Sequence, residues 1–306
     1  MTAPDLANTA FFSGLLPARH PTLCRRVRKI LARHGISVRL IPGTRDIWCR
    51  DYMPVQVGRG RFVQFAYRPD YLADTPELIT GPDAAARLGL PGVCIQSSIV
   101  LDGGNVVRRD DKAIVTDKVF RENPLVPGDQ LVARLRVELA VAKLLVIPAE
   151  PGDITGHADG VVRFVDSATV LVNDYRAADR AYGRELRRIL AAAGLHCVRL
   201  LYEPSSKVVH GMPSAVGNYM NFLQTPGVFI VPSYSPIDDI VAHEMVRRAF
   251  NYPAIESVDC RGLAREGGVL NCVSWQLTAI PAREPAARGD GVRSQPTVPP
   301  RPAALH

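Results

Sequence analysis

The amino-acid sequence predicts a mixed α/β fold built from a repeated unit of two strands, a helix and a third strand. Short runs rich in β-branched and aromatic residues alternate along the chain with single helical segments. Small residues beside glycine open these units at nearly equal intervals, since Asn105, Asp159, Asn218 and Cys272 lie 54, 59 and 54 positions apart. A regular interval of this length indicates an internal repeat.

The individual elements follow from hydrophobic periodicity. Alternating or continuous apolar residues predict strands, and an apolar stripe with a period of about 3.6 predicts helices. The clearest predicted strands are residues 37–41, 62–65, 161–165, 169–172 and 227–231, and the clearest predicted helices are residues 22–34, 129–141, 177–193 and 238–250.

The repeat also predicts how the chain closes. Copies open at Gly103, Ala158 and Gly217, and another opens at Glu266 but cannot finish before the apolar pattern ends. The N-terminal helix and strand have the order that this last copy lacks, so the N- and C-terminal parts are expected to close a ring. The hairpin of residues 48–65 opens one more copy, which makes five.

One domain followed by a tail is the predicted organisation. Residues 1–281 are expected to form a single catalytic domain, because the repeat runs through most of them. Residues 282–306 are rich in Pro, Arg and Ala without hydrophobic periodicity, which predicts a disordered tail. Of the 306 residues, 47% are hydrophobic and 22% are charged, as is typical of a globular protein.

Composition limits the partners and the compartment. No run approaches the roughly 18 apolar residues of a spanning helix. No basic segment precedes the first apolar residues, so a cytoplasmic protein without a membrane partner is expected. Several of the charges behind the net +7 lie on helix faces and in the tail, which predicts no nucleic-acid partner. The six cysteines contain no CxxC pair and indicate neither a disulfide framework nor a zinc site.

Equivalent positions of the repeats are expected to converge on the axis of the ring. A Cys within reach of a His is a nucleophile with a proton carrier. Taken singly, the Cys is more simply a small core residue and the His a turn residue, so the functional interpretation depends on their shared position. The residues that the repeat brings together are Asp51, Asp102, His157, Asp159, Asn221 and Cys272.

The carboxylates indicate what this nucleophile attacks. Asp51, Asp102 and Asp159 would repel one another in one pocket unless a cation binds there. A planar guanidinium fits best, because it offers paired donors to carboxylates. Turn and capping roles are the alternative for these residues. A single His without paired-His spacing argues against a metal site.

Five motifs of the sequence resemble the agmatine deiminase and bacterial peptidylarginine deiminase family. The resemblance covers about residues 8–281, in the family's motif order. It implies a pentein fold, a fivefold ββαβ propeller, which agrees with the repeat count. The motifs are Trp48-Cys49-Arg50-Asp51 with Pro54, Leu101-Asp102-Gly103-Gly104-Asn105, Thr155-Gly156-His157-Ala158-Asp159-Gly160, Asn218-Tyr219-Met220-Asn221-Phe222 and Glu266-Gly267-Gly268-Val269-Leu270-Asn271-Cys272-Val273-Ser274-Trp275-Gln276.

The resemblance implies a role for each matching position. Cys272 matches the family's nucleophile and His157 its general acid and base. Asp51 and Asp159 match the carboxylates that grip the guanidinium nitrogens.

Four further residues complete this comparison. Trp48 and Asn221 are expected to contribute to substrate binding. Asp102 stands where the family usually has the Glu of a Glu-Gly-Gly motif, a catalytic carboxylate near the His, and its side chain is one methylene shorter. Asn271 stands where agmatine deiminases commonly carry a His.

The expected function is hydrolysis of a guanidinium group. A small arginine-like substrate such as agmatine would become a ureido product with release of ammonia, through a covalent thiouronium on Cys272, with no cofactor. Amidino transfer to an amine, deimination of a peptidyl arginine or a natural-product guanidine, and guanidine binding without catalysis stay open. Assembly into a homo-oligomer is also left open.

Overall fold

The computed structural model describes residues 8–90, 92–209, 211–251 and 254–277. The predicted tail of residues 282–306 lies outside the described residues. The strands are β1 (Thr9–Ser13), β2 (Ser37–Ile41), β3 (Val55–Gly58), β4 (Arg61–Ala66), β5 (Val93–Val100), β6 (Val107–Arg109), β7 (Lys112–Thr116), β8 (Lys143–Ile147), β9 (Val162–Phe164), β10 (Thr169–Asn173), β11 (His196–Leu200), β12 (Val208–Val209), β13 (Met212–Pro213), β14 (Leu223–Gln224), β15 (Phe229–Ser233), β16 (Ile255–Asp259) and β17 (Ser274–Gln276).

The helices of the described chain lie mostly between the second and third strands of each unit. Among the described helices α8 has fifteen residues, and α2 and α7 have thirteen each. The α-helices are α1 (Leu16–Arg19), α2 (Pro21–Arg33), α3 (Cys49–Tyr52), α4 (Asp83–Ala86), α5 (Lys118–Glu122), α6 (Gly128–Glu138), α7 (Arg180–Ala192), α8 (Pro236–Phe250) and α9 (Arg261–Ala264). Single turns of 3₁₀-helix occur at Asp70–Leu72, Pro76–Leu78, Gly103–Asn105 and Ala158–Gly160.

Five three-stranded sheets share one topology. In each sheet an antiparallel pair is extended by a third strand that lies parallel to the second. The orders are β3-β4-β5, β6-β7-β8, β9-β10-β11, β14-β15-β16 and β17-β1-β2, and β12 and β13 form a separate hairpin. The predicted mixed α/β class and the predicted strand–strand–helix–strand unit are therefore confirmed.

One of these sheets joins the two ends of the described chain. β17 pairs antiparallel with β1, with Trp275 opposite Phe11, and β1 pairs parallel with β2. The rings of Phe11 and Trp275 meet edge to face at 5.2 Å, and Trp275 Nε1 donates to Pro54 O. Sequence periodicity did not reveal β1, a five-residue strand buried at every position, because such a run lacks alternation.

Capping residues determine where the helices begin and end. Asp179 begins α7, and its side chain accepts hydrogen bonds from the backbone N–H groups of Ala181 and Tyr182, both at 3.0 Å. The left-handed Gly194 follows the last turn of α7, and the left-handed Asn251 follows α8. These signals explain why the observed helices lie within a few residues of the predicted ranges.

The apolar faces of the helices cover the sheets. Leu23, Val27, Ile30 and Leu31 of α2 are buried in one cluster with the apolar residues that precede β17. Each such side chain contributes roughly 1.5–3 kcal/mol when fully buried. Between residues 8 and 277, no helix of the described chain is long and apolar enough to cross a membrane. This packing fixes the turns that precede the sheets, and those turns carry the polar residues that line a cavity.

Candidate active site

One cavity of about 370 Å³ lies among the turns that precede four of the five sheets. The segments before β3, β9, β14 and β17 all contribute to its lining. Six of the residues singled out from the sequence therefore reach one space, although they are far apart along the chain. They are Trp48, Asp51, His157, Asp159, Asn221 and Cys272.

Glycines permit these turns to approach one another. A Cβ added to Gly104 would lie 2.5 Å from Asp51 Oδ1, and one added to Gly268 would lie 2.5 Å from the Trp48 ring. Gly267 also has a φ of +95°, a conformation that disfavours other residues. The Gly-Gly pairs of the motifs are therefore needed for close packing behind the cavity wall.

Cys272 is held by its backbone. Its N–H donates to Asn221 Oδ1 at 3.2 Å, and its carbonyl oxygen accepts the N–H of Arg50 at 3.0 Å. Burial raises the pKa of the Cys272 thiol well above its usual value, and the carboxylates of Asp159 and Asp51 raise it further. Without a bound cation, the site therefore favours the thiol over the thiolate.

The other cysteines do not line this cavity. Cys49 is buried and donates its thiol hydrogen to the carbonyl oxygen of Val273 at 3.0 Å. Cys24 and Cys260 are also buried, and Cys94 is exposed. Of the six cysteines, all of which lie in the described residues, Cys272 is therefore the one that lines the cavity.

His157 lies between two carboxylates. Its Nε2 is 2.8 Å from Asp102 Oδ2, and its Nδ1 is 3.6 Å from Asp51 Oδ1. Burial alone would lower the pKa of His157, but Asp51 and then Asp102 raise it to about 9, against the opposing charge of Lys118. Because Asp102 occupies Nε2, Nδ1 is the atom that can exchange a proton with a ligand.

Asp102 lies behind His157 and does not line the cavity. Its side chain is fully buried and reaches His157 in spite of being one methylene shorter than Glu. Lys118 Nζ also donates to Asp102 Oδ2, at 2.6 Å. The structure thus differs from the expectation that all three Asp residues face one bound cation, because a protein ammonium already neutralises Asp102.

Asp51 and Asp159 remain as carboxylates that face the cavity. Burial raises the pKa of Asp51 to about 7, with His157 opposing the shift and the charges of Asp102 and Asp159 adding to it. Burial likewise raises the pKa of Asp159, with opposition from His157 and from the hydrogen bond of Asn271. A cation bound between Asp51 and Asp159 would stabilise both as carboxylates.

Two residues that the sequence did not assign to the site support it. Asn271 Nδ2 donates to Asp159 Oδ2 at 2.6 Å, while its backbone N–H donates to Asn221 Oδ1 at 3.1 Å. Lys118 is the other. Its signal in the sequence is a lysine placed directly after an apolar strand, with Glu122 four positions later.

The outer part of the cavity is acidic. Besides Asp51 and Asp159 its lining contains four carboxyl side chains, and among the described lining residues there is neither Lys nor Arg. Glu150 accepts hydrogen bonds from the hydroxyls of Tyr202 and Tyr175, and burial raises its pKa to about 7. The four carboxyl residues of the outer cavity are Glu150, Asp153, Asp179 and Glu266.

The described chain has no group of three or more His, Cys, Asp and Glu side chains arranged to hold a metal ion. The buried carboxylates of Asp102 and Glu122 hold the ammonium of Lys118, at 2.6 Å and 2.8 Å. The arrangement as a whole offers a sulfur, a proton carrier and a pair of carboxylates to a cationic ligand.

Comparison with known proteins identifies relatives of this chain. Residues 15–278 match the model of the family described as Porphyromonas-type peptidyl-arginine deiminase. The agmatine deiminase of Stutzerimonas stutzeri is 27% identical over 212 residues, which are 59% of this chain and 57% of that protein. The chain spans little more than half the length of the curated relatives it matches, 55% to 57%.

Solved structures share the fold. The C. jejuni agmatine deiminase superposes with a TM-score of 0.72 at 16% identity, covering 90% of this chain and 95% of that one. A dimethylarginine dimethylaminohydrolase adduct with S-methyl-L-thiocitrulline superposes with a TM-score of 0.56 at 10% identity, covering 88% of this chain and 99% of that one. At these identities the likeness concerns the α/β fold.

Proposed function

The chain belongs to the Porphyromonas-type peptidyl-arginine deiminase family, and on this basis we propose that it is a guanidine deiminase that acts on a small cationic substrate such as agmatine. The observation that carries the proposal is one cavity that contains Cys272, His157, Asp51 and Asp159. Sulfur, imidazole and paired carboxylates are the groups that this hydrolysis requires.

Binding is the first step. The guanidinium docks between Asp51 and Asp159, whose carboxylates accept its N–H hydrogens, and Trp48 forms part of the wall beside it. The bound cation offsets the two negative charges that disfavour the Cys272 thiolate in the free site. Substrate binding therefore helps to generate the nucleophile, and it places the guanidinium carbon near Sγ.

The chemistry then proceeds in two halves. Sγ of Cys272, which has lost its thiol proton to solvent as the cation binds, bonds to the guanidinium carbon and gives a tetrahedral adduct. His157 donates its Nδ1 proton to one nitrogen, the C–N bond breaks, and ammonia leaves a thiouronium on the sulfur. The imidazole next takes a proton from water, whose oxygen attacks the same carbon. Collapse breaks the C–S bond, the sulfur leaves as the thiolate, the remaining hydroxyl proton passes to solvent, and the ureido product is released, so water is the only co-reactant.

The rest of the cavity favours a substrate that carries a second cation or a neutral tail. A free carboxylate on the substrate would enter a cavity whose described lining has neither Lys nor Arg and six carboxyl side chains, of which Glu266 is already paired with Arg19 at 3.0 Å. Arginine carries both an amine and a carboxylate at the end of its chain, whereas agmatine carries the amine alone. Agmatine is therefore the preferred test substrate over free arginine.

The proposal extends to the architecture and the partners. The five equivalent sheets and the pairing of β17 with β1 support a closed pentein ring, made of residues 1–281 as one domain. A small guanidine molecule is the proposed partner, in a cytoplasmic enzyme that needs no cofactor.

A substrate screen tests the function. Agmatine, arginine, a peptidyl arginine and a natural-product guanidine are each incubated with the protein, and ammonia and the ureido product are quantified. We expect turnover of agmatine that Cys272→Ala abolishes, with Cys94→Ala as the matched control that retains it, because Cys94 is exposed and lies outside the cavity. Failure to release ammonia from all four would refute the proposal.

The same assay separates the alternatives. Addition of glycine or another amine would divert the amidino group to that amine if the protein were a transferase. Saturable binding of agmatine without any product would instead support a guanidine-binding protein without catalysis.

A further inference from the structure

A buried lysine lies behind His157, outside the cavity. Lys118 is the first residue of α5, directly after the turn that follows β7, and its side chain is fully buried. A buried ammonium is costly unless charged partners surround it. Neither solubility nor the start of a helix explains why a lysine is buried at this position.

Lys118 has three anionic partners and one aromatic partner. Its Nζ lies 2.6 Å from Asp102 Oδ2, 2.8 Å from Glu122 Oε1 and 3.6 Å from Asp70 Oδ1. The ring of Tyr71 lies 4.9 Å from the same nitrogen and meets the His157 ring edge to face at 6.0 Å. Burial opposes the charge on Lys118, but Asp102 and Glu122 raise its pKa, so the side chain is an ammonium.

Two cations share one carboxylate atom. Oδ2 of Asp102 is the acceptor for Lys118 and is also the atom 2.8 Å from His157 Nε2. The other oxygen, Oδ1, is buried without a hydrogen-bond partner in the structure. Lys118 therefore determines which oxygen of Asp102 faces His157, and it competes with His157 for the charge of that oxygen.

We propose that Lys118 is a positioning residue of the active site, which holds Asp102 Oδ2 against His157 and limits how strongly that carboxylate retains the imidazole proton. The inference rests on the proposed function, because His157 must give a proton to ammonia and then take one from water. Beside two carboxylates with no counter-cation, the imidazole would hold its proton too tightly for the second half of the reaction.

The protonation of His157 depends on charges from every element packed around it. Among the residues that set the pKa of His157, Lys118 carries the charge that opposes protonation. Glu122 offsets part of that charge on Lys118. The groups facing His157 or Lys118 are Asp51, Asp70, Tyr71, Asp102, Lys118, Glu122, Asp159 and Cys272.

The test measures the titration of His157 in the full-length protein. With ¹⁵N-labelled histidine, the ring signals are followed by NMR between pH 5 and pH 10.5 without substrate. Lys118→Gln should raise the His157 midpoint by about one pH unit, whereas Lys118→Arg should leave it near the wild-type value. Arg188→Gln on α7 is the control, since its side chain is exposed and pairs with Glu185, which is not among the groups facing His157 or Lys118, and it should cause no shift.

Glu122→Gln tests the same contact from the other side. This variant removes a buried carboxylate, so it keeps the test decisive if Lys118→Gln does not fold. Lys118 would then give more of its charge to Asp102, and the His157 midpoint should fall. A lysine that only stabilises the fold would lower the melting temperature in Lys118→Gln and leave both midpoints unchanged, which would overturn the proposal.

Kinetics give a second readout. Lys118→Gln should move the alkaline limb of kcat/KM by the same roughly one pH unit toward higher pH. It should also reduce kcat at pH 7 by roughly tenfold, because less neutral imidazole is present to activate water. Acid-quenched samples should contain more Cys272 adduct than the wild type. Lack of turnover by the wild type would refute the proposed function alone, since the NMR titration needs no substrate.

Discussion

Gly104 and His157 approach each other so closely that a methyl group on Gly104 would lie 2.6 Å from Nδ1 of the imidazole. The same methyl group would meet Asp51, whose Oδ1 accepts the Gly104 N–H at 3.0 Å. Gly104→Ala should therefore displace His157, the proposed proton carrier, and Asp51, one of the carboxylates proposed to bind substrate. We expect kcat/KM for agmatine to fall by roughly 100-fold or more.

A matched glycine provides the control for this prediction. Gly262 lies in α9 with a negative φ and has open space where a Cβ would be built. Gly262→Ala should leave kcat/KM unchanged and should slightly stabilise the helix. Equal activity of the two variants would contradict the close packing inferred around His157.

Asp102 should act through His157. Asp102→Asn keeps the size of the side chain but removes the charge that both His157 and Lys118 share. We expect kcat to fall by about 10²- to 10⁴-fold, in the range seen when a catalytic His loses its orienting carboxylate, with a smaller change in KM. A large rise in KM at constant kcat would indicate that Asp102 contacts the substrate instead.

Asp102→Glu, which introduces the residue that the resemblance implies at this position, should not raise the proposed activity. Asp102 is fully buried and already in contact with both cations, so Asp102→Glu must insert a methylene into a filled space. Such overpacking costs about 1–3 kcal/mol. We expect lower activity and a lower melting temperature, and a gain in kcat would show that the shorter side chain limits the reaction.

The activity should have a bell-shaped dependence on pH. Asp51 must be ionised to bind a cation, and its pKa of about 7 means that kcat/KM rises as the pH passes 7. His157 must carry a proton to release ammonia, and its pKa of about 9 means that kcat/KM falls above 9. Initial rates between pH 5 and pH 10.5 should therefore peak between these values. A maximum below pH 6 would contradict the assignment.

Asn271 should tune the substrate carboxylate. Asn271→Asp keeps the oxygen that accepts from Arg50 and replaces only the amide donor that contacts Asp159 at 2.6 Å. Two carboxyl groups at this distance must share a proton, so Asp159 would lose charge. We expect KM for agmatine to rise about tenfold or more with a smaller effect on kcat. An unchanged KM would show that the amide does not support substrate binding.

Much of the fold could be predicted from the sequence, because its repeat is regular. The spacing of Asn105, Asp159, Asn218 and Cys272 indicated the unit that all five sheets share. The same spacing includes the turns before β9, β14 and β17, which line the cavity, but also the turn at Asn105 before β6, which does not. β1 was missed, since a strand buried on both faces has no alternating pattern.

The details behind the cavity could not be predicted in the same way. Lys118 follows an apolar strand and looks like an ordinary helix start, and only the folded chain brings its ammonium against Asp102. The sequence likewise suggested that Asp102 would face the substrate, because spacing gives the position of a residue but not the direction of its side chain. Asn271 differed visibly from the family motif, yet its contact with Asp159 required the structure.

Mass spectrometry of the protein quenched during turnover tests the central claim most directly. Wild-type protein is mixed with agmatine, stopped with acid within the first turnovers and digested, and each cysteine-containing peptide is examined. The account predicts an added mass equal to agmatine less ammonia on the peptide that contains Cys272, absent in Cys272→Ala. An adduct on the peptide of Cys49 or Cys94, or continued ammonia release by Cys272→Ala, would contradict it.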